Sequence, residues 1–451
     1  MTTPTSSPAD APAPVRAARA FAYWLRLGFL SFGGPAGQIA LMHEDLVVRR
    51  RWISEGRFLH ALNYCMVLPG PEAQQLATYI GWLMHRTWGG IVAGALFVLP
   101  SLLILIALSW VYMAFGSVPA VAGVFYGIKP AVTAIVISAA YRIGSRTLTN
   151  AWLWAIAVAA FIAIFAFDAP FPLIVLSAGV IGHLGGRYAP ARFSSRGAHG
   201  SAAKADTAAL IDADTPTPSH ARFTWRRFWA VLAVGVGLWL AAIGTLTVVF
   251  GWDAVLTRMA WFFTKAALLT FGGAYAVLPY VFQGAVDDAH WLTAAQMIDG
   301  LALGETTPGP LIMVVSFVGF VGGWSRAIFG ADSLFVSGAV AAMVVTFFTF
   351  LPSFVFIFLG GPFIESTHGN LRFTAPLTGI TAAVVGVIAN LAVFFAYHVL
   401  WPQGAGGRFE WPAALIGIVA AVALFRYKVG VIPVVLASGL AGLAATLVVR
   451  G

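Results

Sequence analysis

The sequence predicts an all-α polytopic membrane protein. It reads as two homologous, inverted-topology repeats of about six hydrophobic segments each. One extra transmembrane helix joins them, and helices break at Phe-Gly-Gly and Pro-Gly-Pro. Three observations carry this reading. Hydrophobic residues are 60% of the chain and charged residues only 10%. Apolar runs near ~20 residues, the length that spans a bilayer core, recur along the chain. One stretch is used twice in a single ungapped register. A β-barrel would need ~10-residue alternating segments, and the sequence has none.

The repeated stretch runs from Arg26 to Pro71 and again from Lys265 to Pro310. Each copy opens with a cation in an apolar run. A hydroxyl residue and Phe-Gly-Gly follow: Ser31-Phe32-Gly33-Gly34, then Thr270-Phe271-Gly272-Gly273. Trp52 and Trp291 come next. Each copy ends on Pro-Gly-Pro, at Pro69-Gly70-Pro71 and Pro308-Gly309-Pro310. Every landmark is displaced by 239 residues, which marks a duplicated unit.

In chain order, residues 1–20 are rich in Thr, Ser, Pro and Ala and are expected to form a disordered cytoplasmic tail. The N-terminal transporter repeat covers 21–186. Its first segment, 21–42, is interrupted at the glycines, and its second, 58–84, at Pro-Gly-Pro. Segments at about 89–115, 119–141, 150–167 and 171–186 complete it. Residues 187–227 mix Arg, Ser, Gly, Pro and Asp and read as a flexible cytoplasmic linker. Residues 228–252 are the connecting helix, and 253–451 the C-terminal repeat, in the same order of segments. An odd helix between two six-segment units inverts the second unit, a known transporter plan.

The net charge of +9 sits mostly in loops. There it sets topology and does not imply a nucleic-acid partner. The basic linker places itself and the N-terminus in the cytoplasm and the C-terminus in the periplasm. Arg49-Arg50-Arg51 corresponds to an acidic loop at Asp287-Asp288, as expected for equivalent loops on opposite sides. A fully crossing first segment would put those arginines outside; re-entrant hairpins at the breaks would keep them inside. The single cysteine, Cys65, excludes an internal disulfide and a cysteine metal cluster. No metal and no cofactor are expected.

Broken helices inside a membrane survive only where protein or water covers the freed backbone. Equivalent breaks in two halves point to a binding site, and half-helix N-termini suit an anion. A packing kink is the alternative for each. Arg26 and Lys265, each five residues before a hydroxyl-Phe-Gly-Gly break, are candidate anion ligands. Intramembrane charge is functional by default, although a snorkelling Arg26 would reach the headgroups. Lys129, before Pro130, is a third candidate. Glu72 and Glu305 flank the two Pro-Gly-Pro breaks and are proton-coupling candidates; the alternative is a local helix-end role. Gln75 and Thr307 are neutral donors near the same breaks, with Gln74, Thr78, Asn63 and Thr306 alongside. His60 and Asp299 occupy equivalent positions.

The run Leu68-Pro69-Gly70-Pro71-Glu72-Ala73-Gln74-Gln75-Leu76-Ala77-Thr78-Tyr79-Ile80-Gly81-Trp82 resembles the N-half signature of the chromate ion transporter family. Glu305-Thr306-Thr307-Pro308-Gly309-Pro310 with Phe317-Val318-Gly319-Phe320 resembles its C-half signature. The resemblance covers residues 20–450, as in the long, two-domain members. It implies an inner-membrane protein exporting chromate, with sulfate as a related dianion, and no enzymatic activity. Partners are then a small oxyanion and the lipid bilayer, and a homodimer is one possible assembly. A passive anion channel and an intramembrane enzyme acting on a lipid phosphate are the other classes. The enzyme would need a nucleophile or base beside a phosphate clamp, and no such local cluster is present in the sequence.

Overall fold

A computed structural model describes residues 15–32, 34–193, 209–212, 215, 218–271, 273–367, 374–404 and 406–450. Among these residues the chain is helical throughout, with one isolated bridge between Ile53 and Ile211 and no strand. The two arms of the first broken segment are α1 (Ala17–Leu30) and α2 (Gly34–His43). Those of the second are α3 (Glu55–Val67) and α4 (Glu72–Phe115). α4 is itself two helices, because His85 and Arg86 leave helical geometry. Next come α5 (Pro119–Thr147), α6 (Ala151–Phe167), α7 (Phe171–Tyr188) and the short α8 (Pro190–Phe193). α9 (Trp225–Phe250) connects the halves. The C-terminal half begins with α10 (Val255–Leu269), α11 (Ala274–Phe282), α12 (Ala294–Thr306) and α13 (Val314–Ser325). It ends with α14 (Leu334–Thr367), α15 (Thr374–Leu400), α16 (Trp411–Phe425) and α17 (Val431–Arg450).

The element bounds follow the displacement of 239 seen in the landmarks. It carries both ends of α3 onto both ends of α12, and the π-helical turn Glu44–Arg49 onto Gln283–Asp288. Both turns close alike: Trp52 N–H donates to Leu46 O and Trp291 N–H to Ala285 O, each at 2.8 Å. Both indoles are buried. The tryptophan landmarks are therefore packing residues that seat each half-helix.

α4, α5, α9, α14 and α15 are long and apolar enough to cross a bilayer. α6, α16 and α17 are shorter and equally apolar. The chain is a multi-pass helical membrane protein. α9 is its most outward helix, with only Gly235 and Ile243 buried. It is held to α10 where Trp239 Nε1 donates to Thr264 Oγ1 at 3.0 Å.

The halves interlock. α5 packs against α16 and α17, α15 packs against α6 and α7, and α5 packs against α15. Each half thus lays its last hairpin on the other half. Small residues permit this approach, as is usual where helices associate in lipid. A Cβ on Gly127 of α5 would lie 1.9 Å from Ser438 O of α17, and one on Gly386 of α15 would lie 1.9 Å from Ala157 O of α6.

The stretch expected as a flexible linker is docked wherever it is described. Residues 194–208, 213–214 and 216–217 lie outside the described residues, as do residues 1–14 of the expected tail. Leu210 N–H donates to Arg51 O at 3.0 Å, and Ser54 N–H to Ile211 O at 2.9 Å. Arg57 Nε donates to Asp212 O at 3.1 Å and its Nη2 to Thr215 O at 3.0 Å. Its Nη1 forms a buried ion pair with Glu365 of α14, whose other oxygen accepts from Tyr79 OH. His220 bonds Trp82 O at 2.9 Å and packs edge-on against the Trp82 ring. This burial pulls the His220 pKa below the ordinary imidazole value. The anchors of the described residues are backbone carbonyls, which no side-chain pattern reveals.

Candidate functional site

The helices flanking the breaks are short. α3 and α12 have 13 residues each. At 1.5 Å per residue that is about 20 Å, against a hydrocarbon core of ~30 Å. The two Pro-Gly-Pro breaks therefore lie inside the protein, each against the Phe-Gly-Gly break of the other half. Gly70 N–H donates to Thr270 O and Gly309 N–H to Ser31 O, both at 2.8 Å. The two bonds are equivalent under the displacement of 239. Each joins the end of one half-helix pair to the end of the other, so the four breaks form two crossings.

Both crossing glycines need their lack of a side chain. Gly70 has φ of 127° and Gly309 of 99°, a region that L residues avoid. A third helix also presses on each. A Cβ on Gly70 would lie 2.4 Å from Ser353 Oγ of α14, and one on Gly309 would lie 2.7 Å from Ser101 Cβ of α4. Leu99-Pro100-Ser101 and Leu351-Pro352-Ser353 are the same tripeptide in the two halves.

One glutamine attends each crossing, and both come from the N-terminal half. Gln75 Nε2 donates to Pro69 O at 2.8 Å. Gln38 Nε2 donates to Gly309 O at 2.5 Å and to Ser31 O at 3.2 Å. Both amides are buried and their Oε1 atoms have no partner. Gln74 is likewise buried, with Nε2 on Thr78 Oγ1 at 3.0 Å.

The remaining candidates fall in different places. Ser31 and Thr270 are fully buried at the crossings, and their hydroxyls bond back to Leu27 O and Ala266 O, both at 2.7 Å. Thr307 also bonds back, to Gly304 O at 3.1 Å. Gly33 and Gly272 lie outside the described residues; Gly34 and Gly273 open α2 and α11 with positive φ. Pro71 and Pro310 precede the helices that leave each crossing, and Pro69 and Pro308 close the arms that enter it. Glu72 is the partly buried first residue of α4. Glu305 is buried on α12 and accepts a hydrogen bond from Tyr275 OH.

The cations are not at the crossings. Arg26 and Lys265 lie on exposed faces of α1 and α10, because Ser31 and Thr270 point inward and a five-residue step turns the helix past that face. Lys265 Nζ sits 5.9 Å from the Trp261 ring centroid. Lys129 is paired with Asp299 of α12 at 3.3 Å, and Tyr112 OH donates to the same carboxylate at 2.9 Å. Its charge is compensated within the fold. His60 and Asp299, although equivalent by register, differ: only Asp299 is fully buried. The donors that the crossings offer are neutral, namely amide groups, hydroxyls and backbone N–H groups, and the Glu72 carboxyl stands beside one of them.

The sequence profile described as chromate transporter matches residues 18–183 and again 257–443. The chromate transport protein of Pseudomonas aeruginosa is 35% identical over 96% of this chain and 93% of its own length. That of Cupriavidus metallidurans is 30% identical, over 90% of this chain and 87% of its own. The chain belongs to the chromate transporter family. An uncharacterised transporter of Methanocaldococcus jannaschii is 26% identical over 84% of this chain and 85% of its own. No solved structure matches the chain. The two matched regions of this chromate transporter family member start 239 residues apart, the displacement that relates the crossings.

Sequence reasoning missed several residues. Gln38 stands in an apolar run without a partner motif. Ser101 and Ser353 were legible through the repeated Leu-Pro-Ser, but at a displacement of 252 rather than 239. Arg57, Tyr79 and Glu365 meet across 286 residues or more of chain, and no local pattern joins them.

Proposed function

We propose that this chain carries chromate out of the cytoplasm across the inner membrane, through the two crossings of its broken helices. The observation that supports this most is the equivalent pair of hydrogen bonds, Gly70 N–H to Thr270 O and Gly309 N–H to Ser31 O, each 2.8 Å. A proline kink kept for packing has no need of a partner kink in the other half. Two breaks that hold each other shut form a gate with two equivalent sides. Opening one bond frees a glycine N–H and a carbonyl at one end while the other bond stays made. This is the behaviour an inverted repeat needs for alternating access.

In this reading α1–α7 and α10–α17 are inverted repeats. The N-terminus and the docked linker are cytoplasmic and the C-terminus is periplasmic. The short arms around each break are re-entrant, which keeps Arg49-Arg50-Arg51 on the inner side in keeping with the positive-inside rule. Export needs no fixed proton carrier. An inside-negative potential favours exit by about 2.3 kcal/mol per charge per 100 mV, so a dianion gains twice that. Proton coupling through Glu72 or Glu305, or exchange for sulfate, are the other drives the site would accommodate.

The deciding experiment uses the purified chain in proteoliposomes. Labelled chromate and labelled sulfate are supplied separately, with an imposed membrane potential and, in a second series, an imposed pH gradient. The expected outcome is chromate accumulation against its gradient when the potential drives it. Flux that only runs downhill under every drive identifies a channel, and no flux of either anion rejects the reading.

A further inference from the structure

Hydroxyls on the helices of this protein usually find a carbonyl one turn back. Thr346 and Thr349 of α14 donate to Ala342 O and Val345 O at 2.7 and 2.8 Å. Thr264 and Thr78 do the same at 2.8 and 2.9 Å. Ser101 of α4 and Ser353 of α14 do not. Each is buried to within 1% of complete, and neither hydroxyl has a hydrogen-bond partner. An unpartnered buried hydroxyl is a standing cost that a fold removes unless the group is kept for something else. The two serines occupy equivalent places in the repeated Leu-Pro-Ser. They stand against equivalent glycines, Ser353 beside Gly70 and Ser101 beside Gly309. Each therefore comes from the half opposite to the Pro-Gly-Pro it touches.

We propose that Ser101 and Ser353 are hydroxyl donors that bind the transported oxyanion, one at each crossing. This rests on the oxyanion-transport reading given above. At each crossing a serine hydroxyl, a glutamine carboxamide (Gln38 or Gln75) and a glycine N–H stand together. The glycine N–H is tied to a carbonyl in the closed crossing, so it becomes a donor only when that crossing opens. The serine hydroxyl is free in either state. It is the standing part of the site, and the glycine is the part that opening adds.

The donors suit the task. Tetrahedral oxyanions accept hydrogen bonds from several directions, and hydroxyls and amides supply them without a fixed counter-charge. A site of neutral donors holds a dianion firmly enough to select it and loosely enough to release it, as a conduction or transport site must. Gln75 Nε2 spends one N–H on Pro69 O and keeps a second for the anion, while Gln38 Nε2 gives up its bond to Gly309 O or Ser31 O before it donates.

The test measures binding and stability together on the full chain in detergent. Equilibrium binding of labelled chromate and, separately, of labelled sulfate is compared for wild type, Ser101→Ala, Ser353→Ala and the control Ser109→Ala. Ser109 is also buried and unpartnered on α4, but it stands two turns beyond the crossing. Ser101→Ala and Ser353→Ala are each expected to weaken chromate binding by about tenfold or more, the effect of removing a hydrogen bond to a charged ligand. Thermal stability without ligand should be unchanged or higher, because no intramolecular bond is lost. Ser109→Ala should bind as wild type. Ser101→Gly and Ser353→Gly remove the same hydroxyls through a different side chain and should lose affinity alike. Wild-type affinity in the Ser101 and Ser353 variants, with chromate still bound by wild type, overturns this assignment and leaves the transport reading standing. Equal losses in all three alanine variants also overturn it. No binding of either anion by wild type overturns both.

Discussion

Gly70 N–H donates to the Thr270 carbonyl at 2.8 Å, and Gly309 N–H repeats the bond on the Ser31 carbonyl at the same distance. Each glycine sits at positive φ with a serine over its Cα. Gly70→Ala and Gly309→Ala therefore meet two obstacles, backbone strain of about 1–3 kcal/mol and a clash. At Gly70 the obstructing atoms are the ends of side chains, Ser353 Oγ and Gln75 Nε2, which can turn aside. At Gly309 the nearest atom is Ser101 Cβ, which cannot. Gly309→Ala should lower the melting temperature more than Gly70→Ala, and both should lose most transport. Equal melting temperatures and normal transport would remove the crossings from the mechanism.

The helix ends at Leu30, Val67, Leu269 and Thr306 were legible in the sequence because proline and glycine act locally. The displacement of 239 gave the repeat because α1 to α3 and α10 to α12 keep one length between breaks. That the breaks would face each other in two equivalent hydrogen bonds was not legible, since backbone pairing across 200 or 278 residues leaves no side-chain signal. The cations stand away from the breaks for a physical reason. Arg26 and Lys265 share the register of the break but not its face. A five-residue step on a helix is well over one turn, and equivalence in sequence says nothing about inward or outward. Lys129 was singled out by its charge, and its partner Asp299 lies on another helix.

Lys129 and Asp299 form a buried pair with unequal exposure, 30% for the lysine side chain and 3% for the aspartate. Removing one partner of a buried pair typically costs about 3–5 kcal/mol, because a charge is left behind. The charge left by Lys129→Met is the deeper one. Lys129→Met should thus destabilise more than Asp299→Asn, and the double variant should recover most of the loss. Thermal unfolding of the four proteins in detergent measures the coupling. Additive losses would show that the two groups do not compensate each other.

Arg57 ties the linker to both halves, through Asp212 O and Thr215 O on one side and Glu365 on the other. Arg57→Met should undock the linker and speed its cleavage by added protease near residues 209–222, several-fold or more. Acid should act in the same direction. Burial holds the His220 pKa below its unfolded value, so docking is strongest above ~6.5 and weakens as pH falls through and below that value. Cleavage of wild type should rise below about pH 6.5 and that of His220→Gln should not. Pulse proteolysis across a pH series reads both effects.

Glu72 and Glu305 differ in their surroundings. Glu305 is held by Tyr275, while Glu72 opens α4 directly after Pro71 at the crossing. If export is proton-coupled, Glu72→Gln should abolish the response of flux to an imposed pH gradient and leave chromate binding intact. Glu305→Gln keeps an acceptor for Tyr275 and should change coupling less. A pH-gradient response retained in both variants would make each a structural helix-end group and place proton coupling on other residues, whereas no response in wild type would leave the membrane potential to drive export alone.

Arg26 and Lys265 lie on exposed faces, each five residues before a break, and neither has a carboxylate at salt-bridge distance among the described residues. Five residues is about 7.5 Å along the axis. A cation at that distance attracts a dianion toward the crossing without being one of its hydrogen-bond donors. The attraction raises the local concentration of the anion and acts on its arrival. Arg26→Gln and Lys265→Gln should therefore raise the KM for chromate with little change in the maximal rate. The effect should shrink as salt is added and screening sets in. Lys265→Arg keeps the charge and should behave as wild type. The pattern separates two roles for the pair. A KM effect that fades with salt marks steering from outside the crossing. A collapse of the maximal rate at every salt concentration would instead place both cations in direct contact with the bound anion, in an arrangement where α1 and α10 have turned to face the crossings.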